Sequence, residues 1–157
     1  MTCKEVRAGL REQFEEDILD FFEKSDKRLY LEVKPESLIT VASYIFSDLK
    51  ARFHTASGVD TRTHTEVLYH FSVENLAYLI SVRVKLDRDN PQVDSLSNVF
   101  IGAEWIEREI YELLGVNFMG HPDLRRLLLS DLWPGGVYPL KTDYKEWDKH
   151  AIRDRGV

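Results

Sequence analysis

The sequence predicts an α+β fold: a mixed or antiparallel sheet with helices packed on it, followed by an extended C-terminal arm. Three observations predict this. Two stretches of period-two alternation face each other across Glu74-Asn75, helical apolar stripes lie on both sides of them, and beyond Gly120 the chain turns to proline, glycine and charge. At 157 residues, 43% apolar and 31% charged, the chain can bury a core without disulfides or a structural metal. We place the α+β domain at residues 1–130 and the arm at 131–157.

Taken in order, Val6, Leu10, Phe14, Ile18 and Phe21 recur at spacings of three and four, which predicts a helix over Lys4–Lys24 with an acidic outer face. Leu29, Leu31 and Val33 alternate as a half-buried strand. Pro35 suits a first helical turn, and Leu38, Val41, Ala42, Ile45, Phe46 and Leu49 carry a second helix onward. Ser57-Gly58-Val59-Asp60 reads as a loop. Val67–Val73 and Ile80–Leu86 then form an antiparallel hairpin, ended by Asp87-Arg88-Asp89-Asn90-Pro91. A third helix is predicted from Asn98 to Leu114, with Gly115 at the position after its end. Asp123–Leu129 predicts a short helix begun by Pro122. The arm, with Trp133, Tyr138, Tyr144 and Trp147 among prolines and charges, holds too few aliphatics for a core of its own. It is expected to order only on a partner.

Composition excludes several classes of function. The net charge of −6 gives no general attraction to nucleic acid or anionic lipid. Cys3 alone cannot form an internal disulfide, hold an iron–sulfur cluster or build a cysteine zinc site. No apolar run is long enough to cross a bilayer, and the first residues are not those of a signal peptide, so a reducing cytoplasmic setting is expected. None of the five histidines stands three or four residues from another. His64 and His70 share strand parity but lie about 20 Å apart at strand rise. They read as solvent-facing. There is no phosphate loop and no nucleophile elbow.

The third helix is the exception. On a helical wheel Val99, Ala103, Ile106, Ile110 and Leu113 share one side, and Arg108 points away from them. Glu107 and Glu109 flank the stripe, where a carboxylate needs a basic or hydrogen-bonding partner. Glu104–Arg108 and Arg108–Glu112 could instead be solvated i,i+4 pairs. Past Gly115 comes His121-Pro122-Asp123-Leu124-Arg125-Arg126, where two adjacent arginines could grip acidic groups. An enzyme using Glu107, Glu109 and His121 for acid–base chemistry would need all three to converge on a pocket.

These residues resemble the small hydrophilic subunit, known as the thirty-kilodalton subunit, of complex I-type respiratory oxidoreductases. The signature of that family is carried here by Glu107-Arg108-Glu109, Glu112, Leu113-Leu114, His121, Arg125 and Leu127-Leu128. The likeness extends upstream to Ala103 and Trp105, and downstream through Tyr138-Pro139-Leu140-Lys141-Thr142-Asp143-Tyr144. Where complex I usually has Gly-His-Pro-Leu-Arg-Lys-Asp, this chain has Gly136-Val137-Tyr138-Pro139-Leu140-Lys141-Thr142-Asp143, closer to the hydrogenase-related branch. The resemblance implies an α+β subunit without catalytic residues, cofactor or metal of its own. It would be peripheral, on the cytoplasmic side of the membrane, with iron–sulfur clusters and a possible nickel–iron site in neighbouring subunits. Its partners would be a large catalytic subunit, a small iron–sulfur subunit and membrane subunits, with no nucleic acid. A membrane-bound energy-converting hydrogenase is the favoured branch, and a quinone- or sulfur-reducing complex the alternative. Signature and interface roles would fall on Glu107, Arg108, Glu109, Glu112, His121, Pro122, Arg125, Arg126, Trp133, Tyr138, Pro139, Lys141 and Asp143. Of these, Arg125, Arg126, Trp133, Tyr138 and Lys141 are expected to lose exposure to the large subunit.

Overall fold

The structure, a computed structural model, describes residues 1–145. A helix, α1 (Cys3–Gln13), precedes a hairpin of β1 (Ile18–Ser25) and β2 (Arg28–Val33). A single-turn 3-10 segment, Pro35–Ser37, leads into α2 (Leu38–Ser43), which runs on as a wider turn through Asp48. The meander β3 (Arg52–Asp60), β4 (His64–Val73) and β5 (Tyr78–Asp87) follows. The sheet order is β1-β2-β5-β4-β3, with only β2 and β5 parallel. The fold is therefore α+β around a mixed sheet. Last come β6 (Gln92–Asp94), α3 (Ala103–Leu114) and β7 (Asn117–Met119), in which β6 and β7 pair in parallel beside the third helix.

Alternation explains why one face is covered. Leu29, Leu31 and Val33, Val67, Tyr69, Phe71 and Val73, and Ile80, Val82, Val84 and Leu86 all point inward and are buried. They meet Val6 and Leu10 of α1 and Leu38, Val41 and Ala42 of α2. The third helix lies across β3. A Cβ on Gly58 would stand 2.4 Å from a methyl carbon of Leu114, so this glycine is where helix and strand come closest.

Four expectations need correcting. The first helix stops at Gln13, because Phe14 offers its carbonyl to Asp17 and Ile18 and the chain turns. Ile18 and Phe21 then pair with Val33 and Leu31 as a strand. Helical spacing there coincided with strand pairing made possible by the Asp26-Lys27 reversal. Ser57–Asp60 is not a loop but the end of β3, where Gly58 serves packing rather than a turn. The third helix begins at Ala103, since the preceding turns are tied elsewhere, Leu96 accepting from Val99 and Phe100. Asp123–Leu129 forms no helix, for a reason found in the site itself.

Candidate functional site

Three polar side chains of α3 are buried: Glu107 at 0%, Arg108 at 7% and Glu112 at 5% exposure. Each makes hydrogen bonds within the chain. Glu112 accepts three successive backbone N–H groups, Leu127 at 3.1 Å, Leu128 at 2.7 Å and Leu129 at 2.5 Å. Arg108, one turn earlier, donates to the carbonyls of Arg125 at 3.2 Å and Arg126 at 2.8 Å. One helix face thus grips five backbone groups of the segment 125–129. Those are the groups a helix would have paired internally, which is why no helix forms there. On the helical wheel Arg108 points away from the apolar stripe, and pairing with Glu104 and Glu112 is one alternative. It instead turns onto this segment, with its guanidinium 5.8 Å from the centre of the exposed Trp105 ring.

Glu107 faces the sheet. Its Oε1 accepts from Tyr69 Oη at 2.9 Å and from the Leu96 amide at 2.8 Å, and its Oε2 from Ser95 Oγ at 2.5 Å. Burial pushes the Glu107 carboxyl above its ordinary range, and the bonds from Ser95, Leu96 and Tyr69 offset only part of that. Burial and the neighbouring carboxylate push the Tyr69 hydroxyl up as well. The side chain of His121 is enclosed beside them. Its Nδ1 accepts the Asp123 amide at 3.0 Å and its Nε2 donates to the Glu104 carbonyl at 2.9 Å, leaving Glu107 Oε2 4.0 Å away. These bonds place the ring proton on Nε2. Glu109 is different: half-buried, with no hydrogen-bond or ion-pair partner among the described residues. Of the two carboxylates that flank the stripe, Glu107 alone meets a backbone donor within the chain, the Leu96 amide.

The segment continues as a strap over the end of α3. Arg126 donates to the carbonyls of Ser130 and Asp131, while Arg125 is exposed and paired with Asp123. Trp133 donates from Nε1 to Val137 O at 2.7 Å and stacks on Tyr144. Gly115, at φ +80°, ends the helix in the left-handed region and leaves space that the Tyr138 ring fills. Lys141 Nζ lies 5.5 Å from the centre of that ring, and Pro139 is half-buried beside it. The Leu140 amide donates to Leu113 O. A second anchor holds the far end. Asp60, at the end of β3, accepts both Nε and Nη2 of Arg88 at 3.0 Å, and both the amide and hydroxyl of Thr142 at 2.8 and 2.9 Å. Arg88 also pairs with Asp143 at 3.2 Å. Burial alone would raise the Asp60 carboxyl, but Arg88 and Thr142 outweigh it and hold the group below its ordinary value.

The arm expected to order only on a partner is therefore seated on its own domain as far as residue 145. Trp147 lies outside the described residues. Pro122 is exposed and starts the turn that presents His121. Asp60, Arg88, Tyr69 and Ser95 were not singled out from the sequence. Asp60 meets partners 28 and 82 positions away, and nothing in its local context signals either. Among the described residues no cluster of three or more His, Cys, Asp or Glu could hold a metal ion, and no helix is long and apolar enough to cross a membrane.

A family model described as respiratory-chain NADH dehydrogenase, 30 kDa subunit, matches residues 31–150. The chain belongs to that family. The C subunit of the F420H2 dehydrogenase of Methanosarcina mazei is 30% identical over 98% of this chain and 99% of its own length. The C subunit of the NADH-quinone oxidoreductase of Geobacter metallireducens is 35% identical over 86% of this chain and 85% of its own. Its counterpart from Xanthobacter autotrophicus is 36% identical, but this chain spans only 57% of it. Among solved structures, a chain of the membrane-bound sulfane sulfur reductase, an archaeal respiratory membrane complex, superposes with a TM-score of 0.83. It is 19% identical, covering 97% of this chain and 93% of that one, so the fold is shared. In this member, Arg108 and Glu112 are the residues of the third helix that hold the strap, while Glu107 bonds Tyr69, Ser95 and Leu96.

Proposed function

We propose that this chain is a non-catalytic peripheral subunit of a complex I-like, ion-pumping oxidoreductase, and that it docks on and stabilises the large catalytic subunit. The observation that carries this reading is how the signature is used. Glu107, Arg108 and Glu112 are engaged inside the chain, leaving no free acid–base constellation around them. What they hold outward is apolar: Trp105 and Leu128 are about two-thirds exposed, and Leu132 is 85% exposed. Large apolar side chains on a rigidly held surface suit a partner better than water. Iron–sulfur clusters, and any nickel–iron centre, would belong to the neighbours, a large catalytic subunit and a small iron–sulfur subunit, with membrane subunits beneath on the cytoplasmic side.

Within that class, the Tyr138-Pro139-Leu140 form supports the hydrogenase branch, while the dehydrogenase names of the relatives support a quinone or other acceptor. Cysteine pairs near both ends of the large subunit would mark the hydrogenase. Their loss would mark the other branch. The docking reading is tested by purifying the complex through a tag on the full chain. The wild type should bring the large subunit with it. Leu128→Asp with Leu132→Asp, which alters only exposed positions, should reduce its recovery at least tenfold. Unchanged recovery from a folded double variant would overturn the reading.

A further inference from the structure

The face of the sheet opposite the helices carries a feature that the docking role does not use. Across β2, β5 and β4, Tyr30 stands beside Ser81 and Ser81 beside His70; in the next row Arg28 stands beside Leu79 and Leu79 beside Ser72. In the first row two large side chains, Tyr30 and His70, therefore flank the small Ser81, and in the second Ser72 is small beside Leu79. The β3–β4 register shifts between Phe53 and Thr55, leaving His54 out of the ladder, and its imidazole reaches Ser72 Oγ at 2.7 Å. The result is a hollow of about 240 Å³ lined by Arg28, Tyr30, His54, His70, Leu79 and Ser81.

The chemistry of its wall is one-sided. His70 bonds Ser81 Oγ at 2.9 Å through Nδ1 and Ser57 Oγ at 3.1 Å through Nε2. Burial, then the nearness of His54, holds the His70 imidazole below its ordinary value. Arg28 has no ion-pair or hydrogen-bond partner among the described residues, and neither do the Tyr30 hydroxyl and His54 Nδ1. The nearby Arg52 is paired with Glu74 at 3.1 Å, outside the hollow. Among the described residues no carboxylate lines it, although the chain as a whole carries a net charge of −6. A free guanidinium, two imidazoles and hydroxyls around a tyrosine ring and a leucine match an anion with a flat apolar body.

We propose that this hollow is a binding site for a small oxyanion carrying a flat apolar group, of the class of an aromatic carboxylate. Arg28 grips the carboxylate and Tyr30 with Leu79 flanks the body, while the bound charge favours protonation of His54 and His70. The site lies on the opposite layer from α3 and the strap, so it stands or falls apart from the docking surface.

The test follows the imidazole Cε1–H resonances of the full-length chain in NMR titrations with benzoate, and with benzamide as an uncharged match. Benzoate should give saturable shifts at His54 and His70 and raise the pH at which both titrate. His64, on the same face but bonded to Glu66 at 2.8 Å, and the enclosed His121 should not respond. Arg28→Gln, at an exposed position, should weaken binding by about tenfold or more, as expected for loss of a charge-assisted contact. The proposal is overturned by no saturable shift, by benzamide binding as well as benzoate, or by unchanged affinity in Arg28→Gln.

Discussion

The sheet with its helices and the strap over α3 are held by different forces. In the sheet, inward positions are apolar almost without exception, and close packing against α1 and α2 does the holding. In the strap, residues 121–145, no large apolar side chain is fully buried, and the fastening is polar: Glu112 and Arg108 at one end, Asp60 with Arg88 and Thr142 at the other. Apolar packing tolerates small shifts and fails by volume. Charged hydrogen bonds to named backbone atoms fix one course and fail when one acceptor is lost. For the docking role proposed above, the second kind of fastening is the one that specifies position.

The difference can be broken open by substitution. The largest effect should come from the core: Ile80→Ala, at a fully buried position, should lower global stability by about 2–5 kcal/mol through transfer loss and cavity, read as a fall in the urea midpoint. Next, Glu112→Ala leaves three amides without their acceptor, a local loss of about 3 kcal/mol. Limited proteolysis should then cut within 125–130 while the urea midpoint of the sheet moves much less. Equal losses in both measurements would show that strap and sheet are one cooperative unit.

Acid should separate them too. Asp60 is held below its unfolded value, so its contribution is present above that value and is lost as pH falls through the folded one. The Thr142 amide, 2.8 Å from Asp60 Oδ2, should therefore change its NMR shift below about pH 4, and Asp60→Asn should remove that transition. Glu107 has the opposite sign. Its folded value is raised, so its contribution is complete below the unfolded value and declines as pH rises through the folded one. The smallest effect is then Glu107→Gln. Its stability should lie within about 1 kcal/mol of wild type near about pH 4 and gain on it toward about pH 7, as urea midpoints at the two pH values would show.

Much of the fold was legible because it follows local pattern. The inward alternation of β2, β4 and β5 and the Gly115 stop of α3 appear where periodicity puts them, while the buried apolar stripe of α3 runs through Ala103, Ile110 and Leu114, with Ile106 and Leu113 only half-buried. What misled was coincidence or tertiary demand: Phe14 and Ile18 kept helical spacing across a turn, and Gly58 looked like a loop residue while serving a helix contact. In the site, the sequence brought Glu107, Arg108, Glu112 and His121 together through the family signature, but not their roles. A helical wheel knows one buried side. Here the strap buries a second, so Arg108 reads as outward although it is buried. Asp60 and Arg88 were illegible because the chain folds them against Thr142 only in three dimensions.

The central claim is that Arg108 and Glu112 hold the strap within this chain, before any partner arrives. Amide hydrogen exchange at Leu127, Leu128 and Leu129 in the isolated full-length chain tests it most directly. The account predicts clear protection at all three, lost together in Glu112→Ala while the amides of β4 and β5 keep theirs. Exchange at unprotected rates in the wild-type chain, with protection gained only in the assembled complex, would contradict it.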